Sequence, residues 1–392
     1  MNPRIAVDLR AGTFRATLRY DLVLFDRLPA AAQALLRELE AEPDFYGVLQ
    51  PKEEGLSIKS VTREVALLFL TMRVAGRLPA YFYGLFADGA EATAARLVLD
   101  GVLEVELNGE FVSGPRALHP ADPAAERSEG SSCNALSLRA LEYAEGLEIN
   151  EPMKLSVRLY FFNRAPLTPQ WRRRLPGERE VLDFVRSRAS ARALRRLDRY
   201  AVVPPGPTND GWTMWRRPGE SIRLGFKLYV SPMAEALPEA FATAIDVLTQ
   251  RRVERFKVGR DLHGVLRPDK FVAYFATADE LMTVADAIGN RLGSVPAQGV
   301  PFTAELGFGG LLSWGMDPPR GEQTLSFHDR PSWRLWLTHR LAAAILLARS
   351  QGPAALKPRE FALERVRLDG VDPNTWMPRQ SLWTSRASGV AV

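Results

Sequence analysis

Phe226-Lys-Leu-Tyr-Val-Ser231, then Phe256-Lys-Val-Gly-Arg-Asp261, then Arg267-Pro-Asp-Lys-Phe-Val-Ala-Tyr-Phe275 are the three pieces of one stretch that decides how this chain reads. Apolar residues alternate in the first two pieces, a helical segment lies between them, and Gly and Pro bound the turn into the third. The spacing therefore predicts strand, helix, strand, turn, strand. Each strand segment carries a lysine, which is informative because the chain has seven (Lys52, Lys59, Lys154, Lys227, Lys257, Lys270, Lys357) against forty-four arginines. A lysine kept in so arginine-biased a chain is one that arginine does not replace. One physical reason is that an ammonium can be tuned to lose its proton near neutral pH, whereas a guanidinium stays charged.

At 392 residues and 46% hydrophobic content the chain can bury a substantial core, and roughly two or three domains are expected. No apolar run is long enough for a membrane span, and the start, Met1-Asn-Pro-Arg-Ile-Ala-Val-Asp8, lacks a basic region followed by an apolar one. The single cysteine, Cys133, excludes an internal disulfide and a Cys-rich zinc module, so a reducing cytoplasm is expected. Charge is uneven. Residues 1–115 hold 12 Lys plus Arg and 16 Asp plus Glu, a net of −4, which leaves +9 of the total +5 for residues 116–392. The basic part is the one expected to meet an anionic ligand.

In the N-terminal third, residues 4–20 alternate loosely and predict a hairpin turned at Ala11-Gly12. Helices are predicted over Pro29–Ala41, after Thr62, over Leu78–Phe86 and over Ala90–Leu99. Residues 102–107 and 111–112 then flank Asn108-Gly109, a favoured two-residue hairpin turn. Helices followed by a two-stranded wing resemble a winged helix-turn-helix. The acidity of this third argues against nucleic acid. The layout also resembles the peptide-recognition domains of enzymes that modify ribosomally made peptides, which add a leader peptide as a strand beside the wing. A packing domain without a ligand is the plain alternative.

Residues 116–134 read as a Pro, Ala, Ser and Gly-rich linker, which divides the chain into 1–115, the linker, and 135–392. Leu136–Leu147 predicts a helix and Lys154–Phe162, with Leu155, Val157, Leu159 and Phe161 alternating, a strand. Val181–Leu197 is helical and arginine-rich, which suits either a solvated face or the binding of an acidic peptide or phosphate.

The three opening motifs resemble, in order and spacing, the core of the phosphothreonine lyases, found as type III secretion effectors and as lyase domains of class III and IV lanthipeptide synthetases. Gly299-Val-Pro-Phe-Thr-Ala-Glu305 and Ser326-Phe-His-Asp-Arg330 also resemble the HopA-type effector lyases, which stand beside separate kinases in class V lanthipeptide and thioamitide pathways. The resemblance covers residues 150–350. It implies β-elimination of phosphate from phosphoserine or phosphothreonine with no metal or cofactor. Lys257 takes the place of the general base, which must be neutral and so depressed from a lysine's usual range. Lys227 matches a phosphate-contacting lysine, Arg267 the phosphate-clamping arginine, whose planar fork suits the task, and Tyr274 a tyrosine lining the site. Arg330 and Arg334 match late phosphate-binding arginines, with surface salt bridges as the alternative. Lys270, beside Arg267, belongs either to the clamp or to the surface.

Where the secreted effectors carry a histidine acid, this chain has Tyr229, on the same strand face as Lys227. The acid is therefore Tyr229, His263 or His328. Neither a P-loop nor the protein-kinase motif set is present, so a separate Ser/Thr kinase must phosphorylate the precursor peptide. Compact metal-ligand clusters are missing too. The expected fold is α+β, a winged-helix-like module on a mixed, mostly antiparallel sheet with flanking helices. The expected function is a phosphoserine/phosphothreonine lyase acting on a ribosomally made precursor peptide, without nucleic-acid or membrane partners. The alternative is an inactive lyase fold serving as a phosphopeptide-binding or scaffold subunit, motivated by Tyr229.

Overall fold

Leu228, Val230, Phe256, Val258, Phe271, Ala273 and Phe275 are all buried in one apolar cluster, while the residues between them point the other way. That period-two split is what a sheet with one face on a helical layer requires. In a computed structural model the chain is described over residues 5–37, 44–54, 56–119, 131–206, 210–219, 225–318, 332–351 and 356–378.

The N-terminal third contains β1 (Phe14–Ala16), β2 (Tyr20–Leu24), α1 (Ala30–Leu36), β3 (Phe45–Pro51), β4 (Lys59–Thr62), α2 (Arg63–Thr71), α3 (Ala80–Phe86), α4 (Ala90–Leu99), β5 (Leu103–Leu107) and β6 (Glu110–Val112). Thr62 caps α2 by accepting from the Val65 amide. Asn108 and Gly109 both take positive φ, 53° and 84°, as the β5–β6 turn demands. The hairpin expected over residues 4–20 does not form. β1 pairs with β5 and β2 with β3, in separate sheets ordered β1-β5-β6 and β2-β3-β4, and Ile5 instead bridges Leu118.

A helical run follows: α5 (Ser132–Glu145), α6 (Pro152–Tyr160), α7 (Pro169–Arg174), α8 (Glu178–Arg186) and α9 (Ala191–Leu197). The strand expected over Lys154–Phe162 is α6. Leu155 and Leu159 are buried four residues apart, a spacing that serves a strand and a helix alike, whereas Val157 and Phe161 stay partly exposed. Pro152 in the first turn favours the helix. The arginine-rich helix is two, with Ser190 capping the second.

The central elements are β7 (Ala201–Val203), β8 (Trp212–Arg216), β9 (Phe226–Val230), α10 (Leu237–Gln250), β10 (Arg255–Gly259), α11 (Leu262–Val265), β11 (Phe271–Phe275), α12 (Ala278–Leu292), β12 (Ala304–Glu305) and β13 (Leu312–Met316). Their sheet has the order β12-β13-β9-β11-β10-β8-β7, and each pairing in it is antiparallel. The expected strand, helix, strand, turn, strand is β9, α10, β10, α11 and β11, and β11 inserts between the two strands that α10 connects. Helices α8, α9, α10 and α12 cover the apolar face. At the end of β10, Gly259 lies against Gly264 of α11. A Cβ on Gly259 would stand 2.3 Å from the Gly264 carbonyl carbon, so this approach requires glycine.

The chain closes with α13 (Trp333–Ser350) and α14 (Pro358–Leu368). These two helices, with α5 and α6, share one apolar core with the N-terminal third. A charged cluster crosses the same boundary: Arg365 binds Asp100 and Asp369, and Arg340 lies 3.0 Å from Asp369. The architecture is thus α+β, and among the described residues no helix is long and apolar enough to cross a membrane.

Candidate active site

Register places the lysines. Tyr274 on β11 is the partner of both Lys227 on β9 and Arg255 on β10, and Val272 is the partner of both Tyr229 and Lys257. Two rows therefore cross the face opposite the helical layer, Lys227-Tyr274-Arg255 and Tyr229-Val272-Lys257. At a strand spacing of about 4.8 Å, Lys227 and Lys257 stand on the order of 10 Å apart. Trp212, at the start of β8, forms a small apolar cluster with Tyr229, Val272, Val300 and Tyr274 on this face.

Arg267 reaches the same face from the turn between α11 and β11. Its guanidinium carbon lies 4.8 Å from the centre of the Trp212 ring, and the Lys257 ammonium nitrogen lies 4.1 Å from that ring and 5.6 Å from the Tyr274 ring. One indole thus brings base candidate and clamp candidate together. Among the described residues no carboxylate pairs with Lys257. Burial pushes its amine down to about 8; Asp269 opposes this, and Arg267 and Arg255 add to it.

Sequence reading missed how Arg267 is held. Asp269 grips it with two 2.8 Å bonds, from Nε and Nη2, and Nη2 also donates to the Tyr160 hydroxyl at 2.9 Å. Tyr160 in turn donates to Asp269 Oδ2 at 3.2 Å. Burial alone would raise the Asp269 carboxyl, but Arg267 and Arg334 hold it well below the usual carboxylate range. The Arg267-Pro268-Asp269 spacing carried this signal, but only the turn geometry folds the carboxylate back onto the arginine two residues earlier.

Arg334 is placed differently from a phosphate ligand. It is 1% exposed, donates to Pro301 O at 3.2 Å and Tyr160 O at 2.7 Å, and lies 2.9 Å from Asp269 Oδ2, so its fork is engaged inside the protein. Lys270 is also interior. Fully buried, it donates to Pro232 O at 2.8 Å and Gln298 Oε1 at 2.5 Å, and burial pushes its amine down to about 7. Arg330 and His328 lie outside the described residues.

Lys227 lies at 2.5 Å from Asp317 Oδ1, which also accepts from the Trp333 amide at 3.0 Å. Tyr229 is buried beside it on the site face, and burial, then the Asp317 charge, push its hydroxyl well above the usual phenol range. Burial likewise pushes Tyr274 up to about 12, with Lys227 opposing. His263 is exposed on α11, and its Nδ1 accepts from Arg164 at 2.5 Å. Lys227, Tyr229, Lys257, Arg267 and Tyr274 thus share one face, while Lys270 and Arg334 sit in the interior around it. Among the described residues no group of three His, Cys, Asp or Glu is arranged to hold a metal ion.

Comparison by sequence finds no matching family model and no matching curated protein. Among solved structures the chain is similar to the effector protein from Pseudomonas syringae pv. tomato strain DC3000, at 12% identity and a TM-score of 0.37, over 63% of this chain and 96% of that one. It is similar to the type III effector/phosphothreonine lyase OspF from Shigella flexneri, at 11% identity and a TM-score of 0.26, over 45% and 85% of the two chains. A third is the phosphothreonine lyase SpvC, the effector protein from Salmonella, at 14% identity and a TM-score of 0.28, over 52% and 98%. What its site can do follows from the site's own geometry.

Proposed function

We propose that the protein is a lyase that eliminates phosphate from phosphoserine or phosphothreonine in a ribosomally made precursor peptide, after a separate kinase has installed the phosphate. The observation that carries this reading is a half-buried amine, poised near neutrality and without a carboxylate partner among the described residues, stacked on the same indole as an arginine. Lys257 takes the Cα proton, the C–H electrons form the Cα–Cβ double bond, and the Cβ–O bond breaks to release inorganic phosphate. Arg267, fixed by Asp269, binds the phosphate through the edge not held by that carboxylate, and Lys227 exchanges Asp317 for a phosphate oxygen. Tyr229 offers a hydrogen bond to the departing oxygen. No step calls for a metal or cofactor.

On this reading the N-terminal third, as a winged-helix-like module, takes up the leader of the peptide. β6 ends its sheet among the described residues, and its outer edge is where an added strand would pair. Incubation with a phosphorylated peptide tests the proposal: the product is lighter by roughly 98 Da, the mass of phosphoric acid released in such an elimination. Unchanged phosphopeptide, with kinase and leader supplied, counts against it, as does full activity in Lys257→Ala. The buried, poorly acidic phenol of Tyr229 favours a second reading, a phosphopeptide-binding scaffold. Binding without turnover, lost in Arg267→Ala, would select that one.

A further inference from the structure

Away from the site, a group of arginines without carboxylate partners among the described residues lies on α9 and the end of α10. Arg192 and Arg195 are exposed three residues apart on α9, and exposed Arg199 follows in the turn just past its end, so the three form one ridge. α9 lies along α10, because Arg196 pairs with Asp246 and donates to Thr249 Oγ1 at 3.1 Å. Just beyond α9, the Tyr200 hydroxyl donates to Val253 O at 2.9 Å, which brings exposed Arg251 and Arg252 to the same end. Neighbouring arginines do find carboxylates: Arg196 and Arg291 take Asp246, Arg260 takes Glu178. Among the described residues, Arg192, Arg195, Arg199, Arg251 and Arg252 pair with none.

Two features of this surface work against stability and yet keep arginine. Like charges three and four apart weaken a helix. Arg252 takes φ +60°, just past the end of α10, a position where glycine is the common occupant. Arginines also stand on the site face, where Arg255 lies 3.9 Å from Glu254. Exposed Arg216 on β8 is the strand partner of Arg255, whose guanidinium carbon is 6.0 Å from the Tyr274 ring. β8 and β7 form that edge of the sheet, and β7 follows α9 directly in the chain.

We propose that this surface holds an acidic segment, a run of Asp, Glu or further phosphorylated residues, of the same peptide whose phosphorylated residue enters the Lys257 face. The proposal rests on the lyase reading. From Arg192 to the end of α9 the ridge rises about 8 Å and the turn carrying Arg199 extends it, a span of about three residues of extended peptide. Guanidinium forks suit carboxylates and phosphates alike. The net charge of −4 on residues 1–115 would repel a nucleic-acid duplex from the same molecule.

Fluorescence anisotropy on the full chain tests this with two labelled peptides, hexaglutamate and a Ser/Gly peptide of equal length, neither phosphorylated. The acidic peptide is expected to bind at least tenfold more tightly at low salt, with the difference vanishing at high salt. Arg192→Glu/Arg195→Glu/Arg199→Glu abolishes the preference, and Arg251→Ser/Arg252→Ser, which leaves α9 untouched, reduces it several-fold. Elimination from a short phosphopeptide with neutral flanks stays unchanged in both variants. Equal affinity for the two peptides overturns the proposal, as does a mixed-sequence DNA duplex that outcompetes the acidic one. If the preference holds but no phosphopeptide is ever turned over, the surface assignment survives and the lyase reading falls.

Discussion

The pH dependence of elimination follows from the Lys257 amine. Held at about 8 instead of the ordinary 10.5, it is neutral in about one molecule in ten at pH 7, against about one in three thousand for an ordinary lysine. Because the neutral form is the base, kcat/KM is expected to rise about tenfold per pH unit below the break, to bend near pH 8 and to be flat by about pH 9 to 10. The ionisation of the phosphate itself, near pH 6, adds at most about a factor of two above that point. Asp269 is the largest influence raising this amine, so Asp269→Asn should move the bend to lower pH even as it weakens phosphate binding. Phosphate release from a neutral-flanked phosphopeptide, measured from pH 5.5 to 10.5, reads both effects. A rate still climbing tenfold per unit at pH 10, or an Asp269→Asn bend displaced upward, would show that Lys257 is not the base.

Asp269→Asn also leaves Arg267 and Arg334 without their shared carboxylate, and breaking a buried pair in this way should cost about 3–5 kcal/mol in urea unfolding. Tyr229→Phe should lower kcat by about 100-fold with KM little changed, the low end of what one hydrogen bond to a developing oxyanion contributes; no change would remove Tyr229 from the mechanism. Lys270 is buried with its amine pushed down to about 7, below its unfolded value, so the unfolded chain binds more protons above pH 7. Stability should therefore climb from pH 7 toward 10, by up to about 1.4 kcal/mol per unit from this group, and Lys270→Met should flatten the climb in urea midpoints. Gly259→Ala drives a methyl into the Gly264 backbone, and a loss of about 3 kcal/mol is expected, the upper end for overpacking because the neighbour is main chain.

The strands that carry Lys227, Lys257 and Tyr274 were legible because alternation and turn residues agree there, and the register then forces their side chains onto one face. Lys154–Phe162 misled because Leu155 and Leu159 satisfy both periods, and the choice is made by what packs against them: Ser156, for instance, bonds Thr338 of α13 at 3.0 Å. The residues that tune the site were hidden for the same kind of reason. Trp212, Tyr160 and Asp269 come from a strand start, a helix end and a turn, and only their convergence gives them a role. Arg334 and Lys270 looked like surface or clamp cations. Burying such a charge is tolerable only with partners that sit far away in sequence, Tyr160 and Pro301 for the one, Pro232 and Gln298 for the other.

The strict alternation on β10 also acts as a check on assembly. Were this strand to pair with β11 one residue out of step, an ammonium would enter the greasy layer under the helices and a phenylalanine would stand on the site face. Such a slipped isomer forfeits its packing together with its chemistry, so well-folded but inert molecules should not accumulate during synthesis.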